Sequence, residues 1–153
     1  MQYNFKKRNE GFTIIEVMIV LAIAGLIMLI VFLAVPALQR TSRNTQAKNA
    51  AAAVLATVNE FQNNNDGINP TTITVTDGVI SVTKTGLQTA TGKTQGGFTA
   101  TSGTATPTLV GTFNYGIGYK CAGNTATAVS ARSVAVMFLV ETNGTPISQC
   151  IEG

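Results

Sequence analysis

A long apolar stretch runs from Phe12 to Leu38, and Glu16 is its only charged side chain. The nineteen uncharged residues from Val17 to Val35 would rise about 28 Å as a helix. That length is close to the roughly 30 Å hydrocarbon core of a bilayer. The pattern therefore predicts a helix that can span a membrane.

Two residues inside this stretch weaken a helix. Gly25 is conformationally permissive, and Pro36 removes one backbone hydrogen bond and crowds the preceding turn. We therefore expect a kink between Ile30 and Pro36.

Beyond Leu38 the apolar residues recur at steps of four and three, while Arg43 and Thr57 fall elsewhere on the helical wheel. The recurring positions are Ala47, Ala51, Val54, Val58 and Phe61. This spacing predicts an amphipathic helix over residues 39–66 that continues the first one. The asparagine-rich segment 63–66 should end it, with Gly67 or an asparagine as a left-handed cap.

From residue 67 onward the period changes to two, which predicts strands. Alternating apolar residues on either side of Asp77-Gly78 indicate a hairpin. Residues 83–108 are rich in Thr, Gly and Ser and are expected to form a long surface loop. Two further antiparallel strands are expected within 109–119 and 129–141. The predicted fold class is α+β, with a long N-terminal helix followed by a small antiparallel β-sheet domain.

Charge is scarce and unevenly placed. Charged residues make up 11% of the chain, against roughly 25% in an average soluble protein. Lys6, Lys7 and Arg8 supply three of the ten positive charges and stand together before the apolar stretch. The net charge of +3 therefore describes a short basic segment and is poor evidence for a nucleic-acid partner.

Two cysteines, Cys121 and Cys150, lie in the last quarter of the chain. In an exported domain such a pair favours a disulfide, whereas in the cytosol it more often means two reduced thiols. The positive-inside rule hardly discriminates, because Arg40 and Arg43 follow the apolar stretch. The cysteines themselves favour export of the C-terminal part, and hence a Cys121–Cys150 bridge.

The sequence offers little support for a catalytic site. The chain has no histidine, no glycine-rich phosphate loop and no clustered carboxylate pair. A calcium loop anchored on Gly67 would need a glutamate where Ile73 stands. Lys120 beside Tyr119 is too isolated to form a nucleic-acid-binding groove, which needs several basic groups along the phosphates. We therefore expect no enzyme activity, no cofactor and no metal.

The segment from Gly11 to Gly25 closely resembles the N-terminal signature of type IV prepilins. It combines a basic leader ending in glycine, a phenylalanine, a lone glutamate four residues later and an apolar stretch. The resemblance implies a leader at 1–11, a transmembrane and assembly helix at 12–38, its continuation at 39–66 and a globular domain at 67–153. A cleavable secretory signal is the alternative, but the apolar stretch is longer than such signals use.

The resemblance also implies processing and assembly. A prepilin peptidase would cut between Gly11 and Phe12 and methylate the amine of Phe12. The subunit would be stored in the cytoplasmic membrane with its C-terminal domain outside. It would then polymerise with copies of itself into an extracellular pilus for adhesion, twitching motility or DNA uptake. An assembly ATPase and platform proteins are the implied partners, while DNA and surfaces as partners stay open.

Glu16 stands out because a carboxylate in an apolar stretch is costly to desolvate without a partner. The resemblance implies that this partner is the Phe12 ammonium of a neighbouring subunit. Two alternative functions remain: a pseudopilin or minor tip pilin, and an uncleaved membrane-anchored binding domain.

Overall fold

The structure is a computed structural model that describes residues 11–129 and 132–153. Residues 1–10 of the predicted leader 1–11, and two residues of the strand predicted within 129–141, lie outside the described residues. The chain divides into two compact units, Met1–Gln39 and Arg40–Gly153.

A single helix, α1, extends over Ile14–Asn64 with Pro36 inside it. The predicted long helix is therefore confirmed. The helical assignment continues through Gly25 and Pro36, and the expected kink stays a prediction. Within the described chain, α1 is the one helix long and apolar enough to cross a membrane, with a mean hydropathy of 3.2 over its most apolar window.

The end of α1 follows the predicted cap. Helical residues stop at Asn64, and Asp66 and Gly67 then adopt positive φ values of 54° and 74°. The Gly67 amide donates to the carbonyl of Gln62 at 2.7 Å. Such left-handed residues satisfy the last helical carbonyls and turn the chain away from the helix.

In the second unit, one face of α1 is buried against the strands. All five positions that the spacing predicted are buried, namely Ala47, Ala51, Val54, Val58 and Phe61. Thr57, which the wheel placed on the polar side, is buried as well, at 3% exposure. That prediction was wrong because the Thr57 hydroxyl donates to the Ala53 carbonyl at 2.9 Å, which satisfies it inside the core.

Nine strands follow α1 within the described residues, and their bounds are given together here. They are β1 Thr72–Thr76, β2 Val79–Thr83, β3 Ala90–Lys93, β4 Thr99–Ser102, β5 Thr112–Ile117, β6 Tyr119–Ala122, β7 Thr125–Ala128, β8 Val134–Val140 and β9 Ile147–Glu152. They form a three-stranded sheet in the order β1-β2-β3, a four-stranded sheet in the order β4-β5-β8-β9, and the hairpin β6-β7. The α+β fold with an antiparallel-rich β domain is confirmed.

The predicted first hairpin is present. Ile73 pairs with Val82, and Val75 pairs with Ile80. Asp77 and Gly78 both have positive φ, which suits a tight two-residue hairpin turn.

The segment 83–108 differs from the predicted loop, because it contains β3 and β4. Ala90 is buried, and the ring of Phe98 stacks on Phe113 at a centroid distance of 5.0 Å. These few apolar residues suffice to hold a threonine-rich segment against the core. In addition, β4 pairs with β5 in parallel, whereas all other strand pairs are antiparallel in the described sheets.

Strand β8 is buried on both faces. Val134, Val136 and Phe138 belong to the main core with α1. Ala135, Met137 and Leu139 are also buried but lie outside that core cluster. They face the opposite side of the sheet, where the hairpin β6-β7 lies close to β8 and β9.

Candidate functional site

The N-terminal turn of α1 is held by Thr13 and Glu16. The Thr13 amide donates to Glu16 Oε2 at 2.8 Å, and the Thr13 hydroxyl donates to the same oxygen at 2.7 Å. The Glu16 amide in turn points at Thr13 Oγ1, at 3.4 Å. This reciprocal arrangement is a capping box, in which a threonine and a glutamate three residues later satisfy amides that the first helical turn leaves unpaired.

Gly11 and Phe12 directly precede this turn and are not helical. The Phe12 side chain is 89% exposed, and among the described residues no atom comes within 4 Å of a Cβ placed on Gly11. The peptide bond between these two residues therefore lies before the first helical turn, where the backbone is not tied into α1.

The rest of the first unit is an apolar helix surface. Its large side chains, from Ile14 to Leu38, are all between 41% and 82% exposed. Gly25 also faces open space. Exposure of so many apolar side chains to water is unfavourable. Lipid or other apolar helices can cover this surface.

A polar cluster ties the start of the second unit to the end of β8. Arg43 makes a bidentate ion pair with Glu141, through Nε to Oε1 at 2.9 Å and Nη2 to Oε2 at 2.7 Å. Asn44 bonds reciprocally to the backbone of Glu141, at 2.8 and 2.7 Å. Arg40 Nη1 donates to Asn143 Oδ1.

The charges of this cluster support one another. The hydrogen bonds from Arg43 hold the pKa of Glu141 below its usual range, against the opposing effect of partial desolvation, and the nearby charge of Arg40 adds to the lowering. The same hydrogen bonds raise the pKa of Arg43. Glu141 is therefore an ionised anchor for the helix at neutral pH.

The predicted disulfide is present between Cys121 on β6 and Cys150 on β9, with Cα atoms 5.6 Å apart. Two neighbours on the same face of β9 also hold the hairpin. The Cys121 amide donates to Glu152 Oε2 at 2.7 Å, and the Ser148 hydroxyl donates to the Asn124 carbonyl at 3.2 Å. Three alternate residues of β9 thus fix β6-β7 over the second face of the sheet.

The predicted site residues fall into two groups. Gly11, Phe12 and Glu16 lie together at the beginning of the first unit, while the cysteines lie in the second. Among the described residues, no three His, Cys, Asp or Glu side chains come together as a metal site.

Sequence reasoning missed two contacts. One is the contact of Thr13 with Glu16, although a threonine followed three residues later by a glutamate is a recognised capping signal. The other is the contact of Arg43 with Glu141, which are 98 residues apart and which no local pattern links.

Comparison with known protein families gives one match, over the part of the chain that contains Gly11, Phe12 and Glu16. The family model of the prokaryotic N-terminal methylation motif matches residues 6–32. Neither the curated proteins nor the solved structures that were compared with the chain gave a match. The match covers the basic residues Lys6, Lys7 and Arg8, the residues Gly11, Phe12 and Glu16, and most of the apolar stretch.

Proposed function

We propose that the chain is a type IV pilin-like protein and a structural subunit of a type IV pilus, because residues 6–32 carry the type IV prepilin leader signature. The signature marks structural, pilin-type proteins rather than a family of enzymes. It implies processing, assembly machinery and polymerisation in general, and with the apolar helix it fits membrane anchoring before assembly.

One observation carries the proposal of polymerisation. Within the described residues, the first unit is built on the helix that begins at Ile14, whose apolar side chains are exposed up to Leu38 and whose only charged residue over that stretch, Glu16, is in the first turn. Lipid covers such a surface in the stored subunit, and the helices of other copies replace the lipid in a filament. The single carboxylate then gives each helix a position at which a neighbouring cation docks.

Glu16 keeps this role although Thr13 already contacts it. Both hydrogen bonds from Thr13 reach Oε2, and they leave the charge of the carboxylate unneutralised. In the proposed filament, the methylated Phe12 ammonium of a neighbouring subunit pairs with this charge. The capping box orients the carboxylate toward the N-terminal end of the helix, which is where that ammonium would arrive.

The processing step is tested by the intact mass of the protein purified from cell membranes or surface filaments. We expect a chain that begins at Phe12 and carries one additional methyl group on its amine. A chain that begins at Met1 would contradict processing and would favour a membrane-anchored binding domain. A chain cut after Leu33 would instead identify a secretory signal.

The same signature also suits a pseudopilin of a secretion system or a minor pilin at a filament tip. Shearing of surface filaments from the cells distinguishes these functions. A principal pilus subunit should be abundant in the sheared material, whereas a pseudopilin or tip protein should be scarce there and remain with the membrane.

A further inference from the structure

One end of the four-stranded sheet carries exposed apolar side chains. Leu109 and Val110 precede β5, and Ile147 begins β9, with exposed fractions of 66%, 44% and 51%. The start of β5 and the start of β9 lie at the same end of the sheet, because each lies opposite the end of β8. In β9, Ile147 pairs with Val140, the last residue of β8. We call Leu109, Val110 and Ile147 the basal end.

The start of the second unit lies beside this basal end. Arg43 pairs with Glu141, the residue that follows β8, and Arg43 and Val110 line one groove together with Phe98 and Ala47. Arg40 bonds to Asn143 in the turn that leads to β9. The apolar basal end therefore lies beside two guanidinium groups, of Arg40 and Arg43, and one carboxylate, of Glu141. This neighbouring polar cluster carries a net positive charge.

Chain connectivity limits how far the start of the second unit can lie from a membrane that holds the apolar stretch. Arg40 follows Val35, the last residue of the uncharged stretch, by five positions. Even a fully extended chain of that length reaches only about 18 Å. Val110 shares a groove with Arg43, three residues beyond Arg40, and Leu109 and Ile147 lie at the same end of the sheet as Val110.

We propose that the basal end rests on the lipid headgroup layer of the membrane in which the subunit is stored. The three apolar side chains would insert at headgroup level, and Arg40 and Arg43 would face anionic lipid phosphates. The lipid surface is the favoured occupant because the covalent tether and the charge of the patch both fit it. This inference rests on the membrane-stored state of the proposed function and adds a second, peripheral contact to it.

The chain contains no tryptophan, so single tryptophans can report on the contact. The full chain is reconstituted in vesicles of phosphatidylethanolamine and phosphatidylglycerol that contain a lipid with a spin label on its headgroup. The test variant is Leu109→Trp. The matched control is Ile68→Trp, at a 40% exposed position beyond the far end of α1, about 30 Å along the helix from Arg43. Phe32→Trp, read with lipids brominated in the acyl chain, reports insertion of the apolar stretch.

We expect the headgroup label to quench Leu109→Trp several-fold more strongly than Ile68→Trp, and the difference to shrink when phosphatidylcholine replaces phosphatidylglycerol. Both variants share the preference of tryptophan for interfaces, so that preference cancels. Equal quenching of the two, with Phe32→Trp quenched by brominated lipid, would overturn the basal contact alone. Phe32→Trp that escapes quenching would overturn the membrane-stored state itself.

A second copy of the chain is the competing occupant. In that case Leu109→Trp emission would shift to the blue as the protein-to-lipid ratio rises, without quenching by the headgroup label. That result would show that subunits cover the basal end, and the assignment to lipid would be wrong.

Discussion

The carboxylate of Glu16 has two roles that a substitution can separate. It caps the first turn of α1 through the amide and hydroxyl of Thr13, and in the proposed filament its charge meets a neighbouring ammonium. A capping box accepts glutamine as well as glutamate at helix position N3, which Glu16 occupies. Loss of the charge therefore need not mean loss of the cap.

Replacement of Glu16 by glutamine should block assembly while leaving the subunit intact. The side chain keeps its size and its capping bonds, but the neighbour's ammonium is left in an apolar surrounding without a counter-charge, which is strongly unfavourable. We expect membrane-inserted subunits that begin at Phe12 and yield almost no surface filaments. The measurements are intact mass and filament counts by electron microscopy.

Thr13→Val is the matched control for this prediction. It removes the hydroxyl of the capping box but keeps the charge of Glu16, and the loss of an N-cap costs about 1 kcal/mol. Filaments should still form, in reduced number at most. Normal filaments from Glu16→Gln would show that the charge of Glu16 does not register the subunits. A complete loss from Thr13→Val would show that assembly depends on the cap.

The ion pair of Glu141 with Arg43 predicts a pH dependence of stability. Because the pKa of Glu141 is lowered in the folded domain, its stabilising effect is complete above the unfolded value of about 4.3. The effect is lost as the pH falls through the lowered pKa of the folded state. Glu141→Gln should therefore reduce the melting temperature at neutral pH, and its difference from the wild type should vanish in acid.

Circular dichroism melting of the full chain in detergent, from about pH 7 to about pH 2, measures this difference. Asn44→Ala is the control variant. It removes hydrogen bonds between the Asn44 side chain and the Glu141 backbone, and neither of these groups titrates in this range. Its destabilisation should be much the same throughout the range. A Glu141→Gln deficit that persists unchanged at the lowest pH would mean that the charge of Glu141 contributes nothing to stability.

At the scale of single elements, α1 approaches β3 closely. A Cβ placed on Gly92 would overlap the Thr57 hydroxyl, and the next nearest atom is Thr57 Cβ at 3.3 Å. Thr57 is buried there and bonded to its own helix. The absence of a side chain at Gly92 thus lets a polar helix residue pack against a strand.

Gly92→Ala should destabilise the second unit by about 1–3 kcal/mol, the usual cost of overpacking a well-packed core. Chemical denaturation of the full chain in detergent measures the change. Gly96→Ala is the control and should be nearly neutral, because a Cβ there meets no atom within 4 Å. Thr57→Ala in the Gly92→Ala background should recover part of the loss. Equal stability of Gly92→Ala and Gly96→Ala would show that the helix and β3 are not in tight contact.

Local patterns predicted the elements that depend on neighbouring residues. The long helix, the helix face from Ala47 to Phe61 and the hairpin around Asp77-Gly78 each follow from a period or a turn signal within a few residues. The strands β3 and β4 could not be predicted in this way, since their threonines carry little periodicity. They are held by contacts with partners that are distant in sequence, such as Phe98 on Phe113.

The candidate site shows the same division. Gly11, Phe12 and Glu16 lie within six residues of one another, so a short motif was enough to predict them. The cysteines could be paired because the chain has only two of them. The contact of Arg43 with Glu141 and the position of the hairpin over β8 arise only when the chain has folded, and no pattern within a single segment encodes them.

At the scale of the molecule, the β domain has two apolar layers on either side of β8. The larger one lies between the sheets and α1, and the smaller one lies between β8 and the hairpin β6-β7. The disulfide belongs to the smaller layer, because it joins the hairpin to β9. Its removal should therefore loosen one side of the domain more than the other.

Replacing both cysteines by serine should lower the stability of the domain by about 3–4 kcal/mol in the chain-entropy model for a 29-residue separation. Hydrogen exchange should become fast in β6, β7 and β9, while β1 and β2 stay protected. The wild type with reduced cysteines should behave in the same way. Uniform loss of protection across both sheets, or none at all, would contradict a layer that the bridge stabilises locally.

The hairpin β6-β7 also has a use in protein engineering. Its turn at Gly123 and Asn124 is exposed, and the hairpin is held to β9 by a disulfide and two hydrogen bonds, one of which reaches the Asn124 carbonyl. The helix-side core does not depend on the residues of that turn. A foreign peptide inserted after Gly123 would therefore be displayed without unfolding the domain. If the chain polymerises, the same peptide would recur at every subunit, giving a regularly spaced, multivalent array of epitopes.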